Sequence, residues 1–350
     1  MLTAKYQKYV LDFLQPAGTS RGIMNQRTSW FLRVNNSAYP DVYGIGECAP
    51  LPGLSRDKID NIEEMLEWVC TNIDERDLIE NKILWDYPSL LFGLETALLD
   101  LKNGGKKQFY NNTFLNQQSG IPINGLVWMG SIEMMREQIH KKIADGYSCI
   151  KLKIGANNIE SELNLIEEIR NTFGWEIEIR VDANGSLFFD TCMPSLKKLA
   201  DLQIHSIEQP LPSGQHEKTL FLCKNSPIPI ALDEDIICWT DRFRKYKLLD
   251  SVKPKYIVLK PGLIGGFAET TEWINLANER SIGWWITSAL ESNIGLNAIA
   301  QYTSQFQPTF PQGLGTGKVF KNNFASPLYI DKIFLFHNTY NIWDLTSLKP

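Results

Sequence analysis

The chain has 350 residues, 43% of them hydrophobic, and a formal net charge of −5. That length can bury a large core, and lysines and arginines are dispersed instead of striped, which argues against a nucleic-acid or anionic-membrane partner and for small-molecule ligands. Six cysteines (Cys48, Cys70, Cys149, Cys192, Cys223, Cys238) form no CxxC pair, as expected of reduced thiols in a cytoplasm. The Met1–Val10 segment is polar, and no run approaches the roughly 18 apolar residues needed to span a bilayer.

Residues 1–120 read as an α+β unit. Strand-like runs fall at Lys5–Leu14, Ser29–Val34 and Val42–Glu47, with a polar, turn-rich loop predicted over Gln15–Arg27 that is long enough to be a lid. A second irregular piece, Cys48–Ser55, precedes a helix predicted over Arg56–Asn72. Another helix is predicted over Pro88–Asn103, with Pro at its start and Gly104 just beyond its end.

From Ile121 the texture changes to short apolar strands alternating with helical stretches, the pattern of parallel βα units. Strands are predicted at Ile123–Met129, Cys149–Ile154, Glu178–Asp182, His205–Glu208, Ile228–Asp233, Tyr256–Lys260, Trp284–Ser288 and Gly313–Gly315. Helices are predicted between them, including Ile132–Asp145, Ile159–Thr172, Thr191–Leu202 and Gly265–Arg280. The fold class expected is α/β: a TIM-type (β/α)7β barrel over 121–318, a capping domain over 1–120, and a C-terminal segment, 319–350, returning to the cap. In such a barrel the functional residues belong at the carboxyl ends of the strands.

Several polar residues fall at those ends. In Ser148-Cys-Ile-Lys-Leu-Lys-Ile-Gly155 the alternation puts Lys151 and Lys153 on one strand face. Two amines so close repel, and one enclosed in a site can serve as a neutral base. The next three strands end in Asp182-Ala-Asn184, Glu208-Gln-Pro and Asp233-Glu. Each acid alone could be a helix N-cap. In series they would repel strongly unless a divalent cation sat between them, and oxygen-only ligands suit Mg²⁺ or Mn²⁺. Lys260 ends the sixth strand, on the opposite side of the mouth from Lys153. The two amines then bracket a substrate carboxylate whose α-proton could be removed while the cation stabilises the enediolate.

Taken together, Lys151-Leu-Lys153, Asp182-Ala-Asn184, Ile-Glu208-Gln-Pro, Asp233-Glu and Leu-Lys260-Pro resemble the enolase superfamily, specifically its muconate-lactonising subgroup. Gly46-Glu47-Cys-Ala-Pro50 and Phe92-Gly-Leu-Glu95-Thr-Ala-Leu-Leu-Asp100 resemble elements of that superfamily's capping domain. The resemblance implies Asp182, Glu208 and Asp233 as Mg²⁺ ligands, Lys153 as acid/base, Lys151 as its modulator and Lys260 as the opposing cation. It also implies that the capping loops Gln15–Arg27 and Ala49–Arg56 select the substrate, with Arg21 and Arg27 as candidate contacts.

No histidine ends the seventh strand, as mandelate-racemase-like chemistry would require, and Gly313-Leu-Gly315-Thr-Gly317 lacks the acids that hold a substrate ammonium in dipeptide epimerases. The resemblance is then to the subgroup's dehydratase branch, which converts 2-succinyl-6-hydroxy-2,4-cyclohexadiene-1-carboxylate to o-succinylbenzoate and water in menaquinone biosynthesis. Asn184, Gly262, Ser288 and Ser292 are the substrate-binding candidates. Racemisation of N-acylamino acids, another racemase or cycloisomerase activity of the subgroup, and, from another class, a Schiff-base lyase are the alternatives. The oligomeric state is not legible.

Overall fold

The computed structural model describes residues 1–350 apart from 20–21, 76–77, 156, 238, 240, 309 and 349–350. Arg21, a candidate lid contact, and Cys238 lie outside the described residues. The chain opens with an antiparallel sheet of β1 (Leu2–Thr19), β2 (Gly22–Asn36) and β3 (Tyr39–Cys48), followed by helices α1 (Ile62–Thr71) and α2 (Pro88–Lys102). This corrects the sequence reading at one place. The predicted Gln15–Arg27 loop is the far end of a long hairpin, paired out to Thr19↔Gly22 with a register shift between Asp12 and Ala17. The tail of the chain supports the hairpin at that shift: Leu14 donates its N–H to the Val319 carbonyl and Lys321 donates to Asp12, each at 2.8 Å. The far end closes by local pairs, Ala17↔Met24 to Thr19↔Gly22, where Pro16 and Gly18 read as turn residues, and only the support from the tail, some 300 residues away in sequence, lies beyond local propensity. The helix predicted from Arg56 begins at Ile62, after a single 3₁₀ turn at Ile59–Asn61.

Glycines let β3 lie directly on α2. A Cβ at Gly46 would stand 1.8 Å from the Gly93 carbonyl oxygen, and one at Gly44 would stand 1.9 Å from that of Ala97. Beneath this contact Leu32, Val34, Leu66, Leu90 and Leu94 form the core of the cap.

Beyond a short β4 (Ile121–Pro122), the second half alternates strands and helices: β5 (Gly125–Val127), α3 (Ile132–Ala144), β6 (Cys149–Lys153), α4 (Ile159–Phe173), β7 (Glu178–Asp182), α5 (Phe189–Asp201), β8 (Ser206–Glu208) and α6 (His216–Asn225). It continues through β9 (Ile230–Leu232), α7 (Glu234–Ile237), α8 (Arg242–Val252), β10 (Tyr256–Leu259), α9 (Pro261–Ile264), α10 (Gly266–Asn278), β11 (Gly283–Ile286) and α11 (Asn293–Ser304). The strands β5 to β11 form one seven-stranded parallel sheet in sequential order. The predicted eighth strand, Gly313–Gly315, is reduced to bridges: Gln312 pairs with Ile123 ahead of β5, and Gly313 pairs with Thr287 after β11. A short segment thus bonds to both edges of the curled sheet. Apolar side chains between sheet and helices make the largest core, and Ala231, Val258 and Trp285 form a small apolar layer with Tyr256.

Two further strands follow, β12 (Leu328–Asp331) and β13 (Phe334–His337), which join β4 in a small antiparallel sheet. Ahead of them the tail packs on the first sheet, Phe320 against Phe13 and Phe324 between Tyr9 and Phe31. No helix among the described residues is long and apolar enough to cross a membrane, and none of the described cysteines is in a disulfide.

Candidate active site

Parallel register brings the site together. Lys153 pairs with Asp182 and Asp182 with Glu208, so a lysine and two acids stand side by side at one level. Asp233 follows the end of β9, and Lys260 the end of β10. Each acid ends a strand whose apolar residues are locked in the core, so the carboxylates have few rotamers open to them.

The lysines and acids interdigitate. Lys151 Nζ donates to both oxygens of Glu208, at 2.7 and 2.6 Å, and lies 2.9 Å from Asp182 Oδ2. Lys153 Nζ donates to Asp182 Oδ2 at 3.1 Å and to Asn184 Oδ1 at 2.7 Å. Asn184 in turn donates its Nδ2 to Glu234. On the far side Lys260 donates to Asp233. Asp182, Glu208 and Asp233 are buried, at 1%, 2% and 0% exposure.

Burial and charge act against each other in this cluster. Burial alone would raise the Asp182 carboxyl, but Lys151, Lys153 and Lys260 outweigh it and hold that group well below the ordinary carboxylate range. Glu208 goes the other way, pushed up to about 8 by burial and by the Asp182 charge despite Lys151. For Lys151 and Lys260 burial disfavours the charged form, yet the surrounding acids, Asp182 and Glu208 for the first and Asp233 for the second, leave both ammonium groups strengthened.

The donor set fits a hard divalent cation. All three acids offer only oxygen, and Asp233 Oδ1 is buried with no hydrogen-bond partner. Among the described residues no three His, Cys, Asp or Glu side chains already converge as a ready-made cation cage; their oxygens are turned to the lysines.

Above this cluster lies a cavity. Lys151, Lys153, Asp182, Asn184, Lys260 and Ser288 line it. Two sequence candidates are corrected. Ser292 is fully buried away from the cavity, where its Oγ donates to Glu47 Oε2 at 2.6 Å and caps α11. Gly262 lies in the short α9 helix, where a Cβ would stand 2.5 Å from Glu291 Oε1, and it is absent from the lining. Sequence reasoning missed Asn124, Trp128, Leu290 and Thr316, which also face the cavity. Asn124 and Trp128 carried a faint signal, alternate positions on one face of the predicted Ile123–Met129 strand, with Leu126 between them. Leu290 and Thr316 had none, because loop side chains have no period to betray them.

Residues 134–325 match the family described as enolase C-terminal domain-like, and residues 1–101 match the MenC N-terminal domain. The chain belongs to the enolase superfamily. Within it, the chain is 41% identical to the o-succinylbenzoate synthase of Desulfotalea psychrophila, over 93% of this chain and 96% of the relative. The crystal structure of MenC from the same organism superposes with a TM-score of 0.85 at 38% identity, covering 96% of this chain and 99% of that one. The L-Ala-D/L-Glu epimerase of Bacillus subtilis shares the superfamily's fold, with a TM-score of 0.83 over 95% of each chain at 18% identity.

Proposed function

We infer that this chain catalyses the o-succinylbenzoate synthase reaction, a lyase step that dehydrates 2-succinyl-6-hydroxy-2,4-cyclohexadiene-1-carboxylate to o-succinylbenzoate and water. The observation that carries this reading is one cavity with Lys153 on one side, Lys260 on the other, and three acids on the strands between. The 41% identity to a synthase of that name over nearly the whole chain supports it.

Asp182, Glu208 and Asp233 would hold a divalent cation, Mg²⁺ or Mn²⁺, which when bound supplies Lewis-acid stabilisation of charge developing on the substrate carboxylate. Lys153 removes the proton α to that carboxylate and then protonates the departing hydroxide on the same face. Asn184 Oδ1 orients the Lys153 amine. Lys151, locked to Glu208 and Asp182, keeps a positive charge beside Lys153 and modulates it. Lys260, with no proton to move, stays an ammonium and stabilises the delocalised anion by cation–π attraction. Ser288 and Thr316, whose hydroxyls lie 2.6 Å apart on the cavity wall, offer hydrogen bonds to the succinyl tail.

The architecture that supports this chemistry is read as a (β/α)7β barrel over 121–318 with a cap from 1–120, the 319–350 segment returning to the cap. Gly315 bears on the choice of reaction. A Cβ there would meet nothing closer than 3.6 Å, so the wall where an acid would anchor a substrate ammonium is open and uncharged. The two-lysine arrangement also suits racemisation of N-acylated amino acids, which have no free ammonium, and this is the second reading.

The test is an ultraviolet assay of the purified protein with the cyclohexadiene carboxylate and Mg²⁺, with an EDTA control. Metal-dependent loss of the diene absorbance is the expected result. Persistence of the diene, with deuterium exchange into N-succinyl amino acids in D₂O, would transfer the assignment to racemisation.

A further inference from the structure

Glu47 stands one residue before the end of β3 and is fully buried, as are Ser29 and Ser292 beside it. Four donors converge on its side chain. Oε1 accepts Ser29 Oγ at 2.8 Å and the Ser292 N–H at 2.9 Å, and Oε2 accepts Ser292 Oγ at 2.6 Å and the Gly295 N–H at 3.0 Å. Only Ser29 belongs to the cap; the other three donors lie at the start of α11 in the barrel. A helix start leaves N–H groups without partners along its own backbone, and a carboxylate there gains from both the hydrogen bonds and the helix dipole. Gly295 keeps the approach open, since a Cβ on it would stand 2.8 Å from Glu47 Oε2. With two donors on each oxygen, an amide in place of the carboxylate would turn its own N–H groups against donors.

Both segments that meet at this carboxylate run directly into the cavity wall. Ser292 closes the 287–292 loop between β11 and α11, in which Ser288, Ala289 and Leu290 line the cavity. Leu290 is held at φ +67°, a conformation that leucine keeps only when its surroundings impose it. On the cap side β3 ends at Cys48, and the 49–56 loop that follows places Leu51 and Leu54 on the same cavity. Glu47 therefore anchors the root of both loops. A second carboxylate makes a useful contrast. Glu95 of α2 also crosses to the barrel, accepting the N–H groups of Phe267 and Ala268 at the start of α10, but neither it nor its partners line the cavity.

We propose that Glu47 is a positioning residue for substrate recognition: it holds the Leu290 loop of the barrel at a fixed distance from the Leu51 and Leu54 loop of the cap, and so sets the width of the apolar wall that receives the substrate's body. Glu47 touches neither substrate nor reacting atoms and acts through Ser292 and the start of α11. Only the identity of that substrate rests on the dehydratase reading.

The test uses the full chain loaded with Mg²⁺, comparing Glu47→Gln, Ser292→Ala, the double variant of these two, and Glu95→Gln. Steady-state kinetics on the cyclohexadiene carboxylate, thermal unfolding, and hydrogen exchange at 49–56 and 287–295 are measured in parallel. Glu47→Gln should raise KM by about tenfold or more while kcat changes by less than about threefold. Ser292→Ala, which removes one of the four donors, should raise KM by about threefold, and Glu95→Gln should leave it within about twofold. The double variant should be no worse than the poorer single one, because partners in one interaction are not additive. An unchanged KM in Glu47→Gln with only a lowered unfolding temperature, single effects that multiply, or an equal rise in KM for Glu95→Gln would overturn the assignment. If Glu47→Gln does not fold, Ser292→Ala decides: a raised KM at unchanged kcat supports the role of Glu47, and an unchanged KM refutes it. If the unsubstituted enzyme leaves the diene untouched, the dehydratase reading fails and exchange alone decides. Faster exchange at both segments in Glu47→Gln but not in Glu95→Gln then supports the role, and exchange that is unchanged or equally raised in both refutes it.

Discussion

The two halves of the cavity are built on different principles. One half is charged and rests on strand ends, where parallel register sets Lys153, Asp182 and Glu208 side by side and the ladder of backbone bonds holds them. The other half is apolar, with Met24, Leu51, Leu54 and Leu290 coming from the hairpin end and from loops that lie outside the parallel ladder. Chemistry that needs atoms fixed within a fraction of an ångström sits on the first, and shape selection sits on the second. Substitutions on the charged half should therefore strike kcat, and those on the apolar half KM.

The largest effect expected is that of Lys153→Ala, a fall in kcat of about 10³-fold or more, with cation binding retained as read by thermal shift on adding Mg²⁺. A variant that keeps a tenth of the activity would remove Lys153 from the base role. Next comes Asp233→Asn, which removes the charge at the one oxygen without a hydrogen-bond partner among the three acids proposed to hold the cation. It should weaken Mg²⁺ affinity by about 100-fold in calorimetric titration, and EDTA should silence the unsubstituted enzyme until Mg²⁺ is returned. On the opposite wall Leu54→Ala should raise KM by about five- to thirtyfold, the cost of losing a few buried methyl and methylene contacts, and leave kcat within about twofold. A large drop in kcat instead would erase the division between the halves.

The smallest effect concerns how the cap docks. Glu95 of α2 accepts the N–H groups of Phe267 and Ala268 at the start of α10, and burial pushes its carboxyl up to about 7 against the pull of those amides. In the unfolded chain a glutamate titrates near about 4.3. The folded state therefore binds the proton more tightly, and this group's contribution is complete below about pH 4.3 and is lost as pH rises through about 7. Glu95→Gln should flatten that part of the stability profile in denaturant titrations between pH 4.5 and 7.5. An unaltered slope would mean the Glu95 carboxyl is ionised in place.

Much of the charged half was legible in the chain, for a physical reason. Strand alternation has a period of two and βα units repeat, so an acid or lysine closing an apolar run declares both its face and its end of the barrel. Lys151, Lys153, Asp182, Asn184 and Lys260 now line one cavity, with Glu208 and Asp233 ion-paired to two of these lysines. The apolar half had no such code. Ser292 looked like a donor to substrate because a hydroxyl near a strand end is a reasonable guess, but helix capping and Glu47 claim it. Gly262 stood among the substrate-binding candidates, but its missing Cβ makes room for Glu291 instead. The Gln15–Arg27 stretch, polar and with Pro16 and Gly18, reads as a loop, yet it is the far end of the β1–β2 hairpin, with the tail supporting it at Asp12 and Leu14.

The sequence by itself determined the order of strands and helices, the strand that carries each acid and lysine, and the likeness to one superfamily, since these follow from short-range periodicity and local motif. Only the tertiary structure decided which side chains wall the cavity, that Gln312 and Gly313 bond to both edges of the sheet, and that Arg27 reaches the Ala49 carbonyl instead of solvent. Those outcomes depend on contacts between residues beyond the reach of any local period. Their energy comes from burial and charge pairing that exist only once the chain has closed on itself.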